Sequence, residues 1–147
     1  MATYYPPVGF HFKVEFTGLT KNDNDTRFQA VSGLSVEYET EAVKEGGENR
    51  FEHTLPVRTK YPDLTLKRGM VLPGSPLFDW CMKAFQERSF APSDVIITLL
   101  NEEHDPIRTW NVVKAWPKKW AVTELNAESS AIVIESLDLR YQYFTVK

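Results

Sequence analysis

The sequence has a single cysteine, Cys81, and therefore cannot form an intrachain disulfide. A lone cysteine is typical of proteins made in a reducing compartment. Long apolar runs are also missing, and none approaches the roughly 20 residues that a membrane-spanning helix requires. The first residues lack the basic segment and apolar run of a secretion signal. We therefore expect synthesis in the cytoplasm and no membrane anchor.

Positive charge is sparse in this chain. The formal net charge is −3, and the densest basic clusters are the pairs Lys67-Arg68 and Lys118-Lys119. General affinity for nucleic acid or for an anionic membrane surface depends on larger basic clusters. We therefore expect no sequence-specific nucleic acid and no anionic membrane among the partners.

Recognisable catalytic motifs are absent. The chain has no phosphate-binding G-x-x-x-x-G-K-[ST], no dinucleotide-binding G-x-G-x-x-G and no zinc-binding H-E-x-x-H. The three histidines, His11, His53 and His104, do not have metal-ligand spacing, so we expect neither a metal site nor a cofactor. Cys81 lies on the apolar side of a predicted helix, which favours a buried small hydrophobe over a nucleophile. An enzyme whose catalytic groups converge from distant segments remains an open alternative.

The first half of the chain contains a series of strand patterns. Residues 8–16 alternate between apolar and polar side chains, and this period of two predicts a half-buried strand. A second strand is predicted at about residues 28–39, where Gly33 indicates a bulge or a close backbone approach. Shorter strands are predicted at residues 51–57 and 63–68. Between the second strand and the strand at residues 51–57, the polar residues 40–50 contain Gly46-Gly47 and are predicted to form a mobile protruding loop or a hairpin tip.

One helix is predicted in the middle of the chain. Ser75 is a good N-cap, and Pro76 suits the first helical position because its missing N–H costs nothing there. An apolar stripe with helical spacing follows, made of Leu77, Trp80, Cys81, Ala84 and Phe85. The other side of the helix carries Asp79, Lys83, Gln86 and Glu87. Pro92 should end the helix before it.

Strand patterns return after the helix, at residues 94–101, 107–116 and 131–144. The alternation of the last strand slips near Glu135-Ser136, which predicts a β-bulge. Strands, one helix and again strands predict a mainly β fold, an antiparallel β-barrel or sandwich with a flanking α-helix. The length is that of a single domain, residues 1–147.

Several segments carry a family resemblance when they are taken in order. They are FQAVSGL at 28–34, GGEN at 46–49, LP at 55–56, LTLKRG at 64–69, LFDW at 77–80, WN at 110–111, AWPKKW at 115–120 and IVIESLDL at 132–139. In order and spacing they resemble the tail-tube (inner-tube) family of contractile phage tails and extracellular contractile injection systems, over nearly the whole chain. The ending at residues 140–144 departs from the small, glycine-containing ending of that family.

The resemblance implies a barrel like that of the haemolysin-coregulated protein, assembled as hexameric rings that stack into a hollow tube. The implied partners are further copies of the chain, a contractile sheath protein, baseplate or tube-initiator proteins, and cargo in the lumen. The protein would then be structural and not an enzyme. It would be made in the bacterial cytoplasm as a component of a phage tail or phage tail-like particle that can be released from the cell.

Two groups of residues are predicted to make contacts in such a tube. A ring-stacking loop would consist of Glu41, Lys44, Glu45, Gly46, Gly47, Glu48, Asn49 and Arg50, although a flexible surface turn would have the same composition. The resemblance places the polar side of the helix toward the sheath, with Asp79, Lys83 and Glu87 facing it. The alternative function is a monomeric β-barrel that binds a small apolar ligand, which would need an apolar pocket.

Overall fold

Nine strands and one helix lie in the residues that the computed structural model describes, which are 11–19, 25–26, 28–43, 53–69, 74–128 and 133–147. The strands are β1 His11–Phe16, β2 Ala30–Ser32, β3 Glu37–Val43, β4 His53–Lys60, β5 Leu64–Gly69, β6 Ser93–Leu100, β7 Pro106–Val122, β8 Ile134–Arg140 and β9 Tyr143–Val146. The helix α1 spans Pro76–Gln86. Within these ranges, no helix has the length and apolarity needed to cross a membrane.

The strands form two antiparallel sheets. Seven belong to one sheet with the order β1-β6-β7-β8-β5-β2, in which β9 also pairs with β7. The long strand β7 pairs with β6 and β9 in its first part and with β8 in its second part. Lys114 has a φ of 56° where β7 passes from one set of partners to the other, and the β6–β7 register shifts opposite this point. Strands that serve two ladders commonly change direction at such irregularities.

The core joins both halves of the seven-stranded sheet. Val14 of β1, Ile97 of β6, Leu66 of β5 and Leu139 of β8 are all buried in the same hydrophobic cluster. Side chains from the two ends of a sheet can share one cluster only when the sheet curves and its inner faces meet. The buried residues of α1 join this core, and they are Leu77, Trp80, Cys81 and Ala84. The predicted barrel or sandwich with a flanking helix is confirmed.

The helix begins where the sequence predicts. The Ser75 hydroxyl accepts a hydrogen bond from the Phe78 N–H at 3.2 Å, and Pro76 is the first helical residue. The prediction for Phe85 is wrong, because this side chain is 42% exposed. The helix ends at Gln86, so Phe85 lies in its last turn.

The predicted strand at residues 28–39 is two separate strands, β2 and β3. Gly33 lies between them with a φ of +95°. A Cβ atom at this position would lie 2.1 Å from the carbonyl oxygen of Asp63. The close backbone approach expected at Gly33 is therefore confirmed, but it ends the first strand instead of interrupting a continuous one. Beyond it, the chain leaves the seven-stranded sheet and enters the β3–β4 hairpin.

Gly33→Ala is expected to lower the free energy of unfolding by about 2–4 kcal/mol, because a left-handed φ and a steric overlap with backbone both oppose the new Cβ. Gly18→Ala is the matched control, since Gly18 also has a positive φ, +83°, but nothing lies within 4 Å of its added Cβ. The control should lose only about 1–2 kcal/mol from backbone strain. Urea unfolding followed by tryptophan fluorescence measures both values, and equal losses would contradict the close approach.

The predicted bulge at Glu135-Ser136 is wrong. The β5–β8 register is continuous from Gly69↔Ile134 to Leu64↔Leu139. Glu135 is a buried carboxylate on the same inward face as Leu137 and Leu139. A charged residue at an inward position makes the apolar–polar alternation of the sequence seem to slip by one residue. The predicted strand at residues 131–144 instead divides after Arg140 into β8 and β9. On β9, Phe144 is buried, whereas Tyr143 is exposed.

The bulge of this region lies on β7. Pro117 pairs with Leu139 and Lys119 pairs with Asp138, so Lys118 is an extra residue opposite β8. The strand predicted at residues 107–116 is longer in the structure, because residues 117–122 continue β7 as far as Val122. The remaining predicted strands match β1, β4, β5 and β6 where the structure describes them.

Candidate functional site

The hairpin formed by β3 and β4 is exposed along its whole described length. Its register runs from Glu37↔Lys60 to Val43↔His53, with a shift after Glu39. Every residue of the two strands is exposed, and among the described strands they pair only with each other. A two-stranded hairpin is marginally stable in water unless another surface covers it. This hairpin is therefore a candidate contact surface.

The exposed hairpin carries a high content of large apolar side chains. These are Val36, just before β3, together with Tyr38, Val43, Leu55 and Val57, which are 40–62% exposed. An ion pair joins Glu39 to Arg58 at 3.1 Å, and Glu37 lies opposite Lys60. Exposed ion pairs contribute little stability. Such pairs therefore do not offset the free-energy cost of leaving these apolar side chains in water. Exposed apolar patches commonly mark sites of protein association.

The predicted ring-stacking loop begins within β3. Glu41 lies in β3, opposite Leu55, and is exposed. The first residues of the predicted loop are thus strand, and the strand continues to Val43. The other seven predicted loop residues are in the segment that connects β3 to β4 and lie outside the described residues. These are Lys44, Glu45, Gly46, Gly47, Glu48, Asn49 and Arg50.

The polar side of α1 forms a second exposed surface. Asp79, Lys83 and Glu87 are all exposed, as predicted from the helical spacing. Together with Met82 and Gln86 they line one surface depression. The structure therefore brings the three predicted sheath-facing residues onto one face, where charged groups are accessible to a partner.

A buried charge cluster lies behind the helix, and it was not predicted from the sequence. The guanidinium of Arg68, on β5, lies 2.8 Å from an Asp25 carboxylate oxygen and 3.3 Å from a Glu135 carboxylate oxygen. Arg68 also donates to the Ser75 hydroxyl at 3.3 Å. Its guanidinium carbon lies 5.5 Å from the centroid of the Phe28 ring. Arg68 belongs to the basic pair Lys67-Arg68, yet it is only 2% exposed.

The same cluster fastens α1 to the sheet. The Leu77 N–H, in the first turn of α1, donates to Asp25 at 3.1 Å, and Ser75 also donates to Asp25. The Trp120 indole N–H, on β7, donates to Glu135 at 2.8 Å. The sequence signal for this cluster is the alternation of side chains along the strands. Arg68 and Glu135 each occupy an inward-facing position, in alternation with inward-facing leucines. Two opposite charges at inward positions predict a buried ion pair.

The residues considered for catalysis are separated in the structure. Burial raises the pKa of the Cys81 thiol to about 12, so Cys81 is protonated at neutral pH and packs as a buried hydrophobe, as predicted. His11 and His104 are brought together, with ring centroids 5.0 Å apart, whereas His53 lies on the exposed β4. Among the described residues, no three metal-ligating side chains form a cluster that could hold a metal ion.

The sequence of the chain identifies the family to which it belongs. The profile of the T4-like virus tail tube protein gp19 family matches residues 8–145. The chain belongs to this family. The family resemblance found in the sequence is confirmed. No curated protein sequence matches the chain.

Solved structures of similar fold come from related particles. A chain of the anti-feeding prophage (AFP) baseplate is 33% identical with a TM-score of 0.84, and the match covers 100% of this chain and 97% of that one. A chain of the extended sheath-tube complex of the extracellular contractile injection system PVC is 26% identical with a TM-score of 0.80, covering 98% and 93%. Hcp1 from Flavobacterium johnsoniae shares the fold alone, with 11% identity and a TM-score of 0.52, covering 92% and 93%.

The comparisons and the site agree on the class of protein. The tail tube family and its structural neighbours are structural proteins, and this chain is therefore a structural tail tube protein and not an enzyme. Its functional surfaces are accordingly those that contact other proteins, and the exposed hairpin and the polar face of α1 are the candidates.

Proposed function

We propose that this protein is the tube subunit of a contractile injection system, in which six copies form a ring and rings stack into a hollow tube. Residues 1–147 would act as a single tube domain. The neighbour from the AFP baseplate comes from a structure with 6-fold symmetry, which supports a ring of six. A ring of identical subunits uses heterologous contacts, in which different surfaces of neighbouring copies meet.

The proposal rests on the exposure of the β3–β4 hairpin. Its two strands are exposed throughout and have no further strand partner within the described residues. Its apolar side chains would be buried if the hairpin lay against another copy of the chain, and that burial would stabilise the assembled state. The occupant we propose is a second copy, with the hairpin end that contains the predicted stacking loop reaching an adjacent ring.

Open strand edges provide a second route to assembly. Within the described residues, β2 pairs with β5 alone and β9 pairs with β7 alone. An unpaired edge has N–H and C=O groups available for a neighbouring chain. Strand pairing between copies would satisfy these groups and continue the sheet around a ring.

The proposed partners follow from the neighbours. One neighbour is in a sheath-tube complex and another is in a cap that terminates the AFP tube. We propose a sheath around this tube, contacted by Asp79, Lys83 and Glu87, and baseplate or initiator proteins at its end. The sheath would contract and drive the tube, with cargo in its lumen, so the work would come from the sheath. The subunit would be made in the bacterial cytoplasm and released within a phage tail-like particle.

Electron microscopy of the purified protein tests the proposed assembly. We expect rings or tubes, and light scattering at high protein concentration should show species well above the 16.9 kDa of one chain. Addition of a purified baseplate or initiator fraction should promote long tubes if nucleation is limiting. Uniform monomers under both conditions would contradict the proposal and favour the alternative, a monomeric barrel that binds a small apolar ligand.

The sheath contact makes a separate prediction. Reversing two charges, with Asp79→Lys in α1 and Glu87→Lys at the C-cap of α1, should prevent sheath attachment and leave bare tubes intact, because both side chains are exposed. The matched control is Glu102→Lys with Glu103→Lys, an equal charge change in the exposed β6–β7 turn. Co-sedimentation of tubes with sheath protein measures the effect. Normal sheath attachment by the α1 variant would refute this assignment of the helix face.

A further inference from the structure

The hairpin joins the barrel at a root formed by two short segments. Residues 33–36 lead into β3, and residues 61–63 lead out of β4 toward β5. The two segments touch, because the Gly33 backbone packs directly against the Asp63 carbonyl. The direction in which the hairpin leaves the barrel is therefore determined at this root, since its arms pair with no other described strand.

Charged groups of the barrel hold one side of the root. The Lys118 ammonium lies 2.7 Å from one Asp63 carboxylate oxygen, and the Arg140 guanidinium lies 3.4 Å from the other. Arg140 also donates to the Tyr61 carbonyl at 2.7 Å. The hydrogen bond from Lys118 lowers the pKa of the Asp63 carboxyl. The contact is therefore charged at neutral pH, and its contribution is lost only as the pH falls through that lowered pKa.

The barrel has local features that serve this contact. Lys118 is the extra residue of the β7 bulge, and bulges commonly redirect a side chain. Tyr61 packs edge-on against the rings of Tyr141 and Phe144, with ring centroids 5.9 Å and 5.1 Å apart. Both rings are buried in the core. The root thus combines an aromatic anchor with an ion-pair network, whereas the arms carry the exposed Glu39–Arg58 ion pair.

We propose that Asp63, Lys118 and Arg140 form a clamp that orients the β3–β4 hairpin for docking on a second copy of the chain. The clamp is partly exposed, and exposed ion pairs contribute little to folding stability. Its effect is on orientation: fixing a docking element before contact lowers the ordering cost of association. These three are positioning residues for assembly, and the inference rests on the proposed tube function.

The clamp can be tested on dispersed subunits by the distance between two spin labels. Thr54→Cys on β4 and Glu102→Cys on the β6–β7 turn give exposed labelling sites, and Cys81 is buried and protonated at neutral pH, so it should not react. We expect a narrow distance distribution in the parent and a distribution about twofold broader in Asp63→Asn, because the hairpin then samples several orientations. Lys118→Met should have the same effect, and the double variant should add little.

Glu39→Gln is the matched control, because it removes the exposed Glu39–Arg58 pair within the hairpin and leaves the root intact. This variant should keep the narrow distribution. Tube growth by Asp63→Asn should be about fivefold slower, as expected when a surface ion pair no longer biases the docking orientation. An unchanged distribution in Asp63→Asn, or equal broadening in Glu39→Gln, would overturn the clamp. Because the distances are measured without assembly, failure of the parent to form tubes would refute the tube function separately.

Discussion

Arg68→Met is expected to lower the free energy of unfolding by about 3–5 kcal/mol, the usual effect of removing one partner from a buried ion pair. Methionine fills a similar volume but leaves Asp25 and Glu135 buried, at 6% and 5% exposure, with their main cationic partner removed. Both carboxylates accept further hydrogen bonds, from the Leu77 N–H and the Trp120 indole. Those bonds lessen the loss, but they supply no compensating full charge.

Lys67→Met is the matched control for this substitution, since Lys67 is the exposed neighbour of Arg68 on β5. Its effect should be within about 0.5 kcal/mol. Adding Asp25→Asn and Glu135→Gln to Arg68→Met should recover part of the lost stability, because both uncompensated charges are then removed. Urea unfolding followed by tryptophan fluorescence measures all of these variants. A loss for Arg68→Met no larger than that of Lys67→Met would show that the cluster does not stabilise the fold.

Replacing residues 44–49 with a short Gly-Ser turn is expected to abolish long tubes and leave folded subunits. The replaced segment connects β3 to β4, and none of the described hairpin residues belongs to the core. Folding should therefore survive, as measured by circular dichroism, while the proposed contact between rings is lost. Each such contact would be weak, but the contacts would act together around a closed ring, so their removal should have a large effect on stacking. Single rings in electron micrographs are the expected product.

An equal replacement elsewhere provides the control for the hairpin. Exchanging Glu102-Glu103 for Gly-Ser in the β6–β7 turn should leave tube formation unchanged. A second variant, Tyr38→Ser with Leu55→Ser, removes exposed apolar side chains from the hairpin arms and should also impair assembly without unfolding the subunit. Long tubes of normal appearance from the Gly-Ser variant would mean that residues 44–49 are a surface turn with no role in stacking.

Local patterns allowed several elements to be predicted. The alternation of β1 gave a buried Val14 between partly buried phenylalanines. The N-cap at Ser75 and the burial of Cys81 follow from contacts a few residues apart in the sequence. The exposed face of α1, with Asp79, Lys83 and Glu87, follows from the same helical period. Interactions of this range are encoded in neighbouring residues, so spacing and residue type suffice to infer them.

Other features depended on residues distant in the sequence, and the tertiary structure alone decided them. Glu135 looked like a register slip because its partner Arg68 is 67 positions away. The end of β2 at Gly33 depends on the Asp63 backbone, and the bulge at Lys118 depends on pairing with β8. By itself the sequence determined the fold class, the helix and, through its resemblance, the tail tube family. Pairing between distant segments decided the buried charge cluster, the division of the long strands and the root of the hairpin. Hydrophobic periodicity and β-propensity predict that a segment is a strand, but they do not predict the strand with which it pairs.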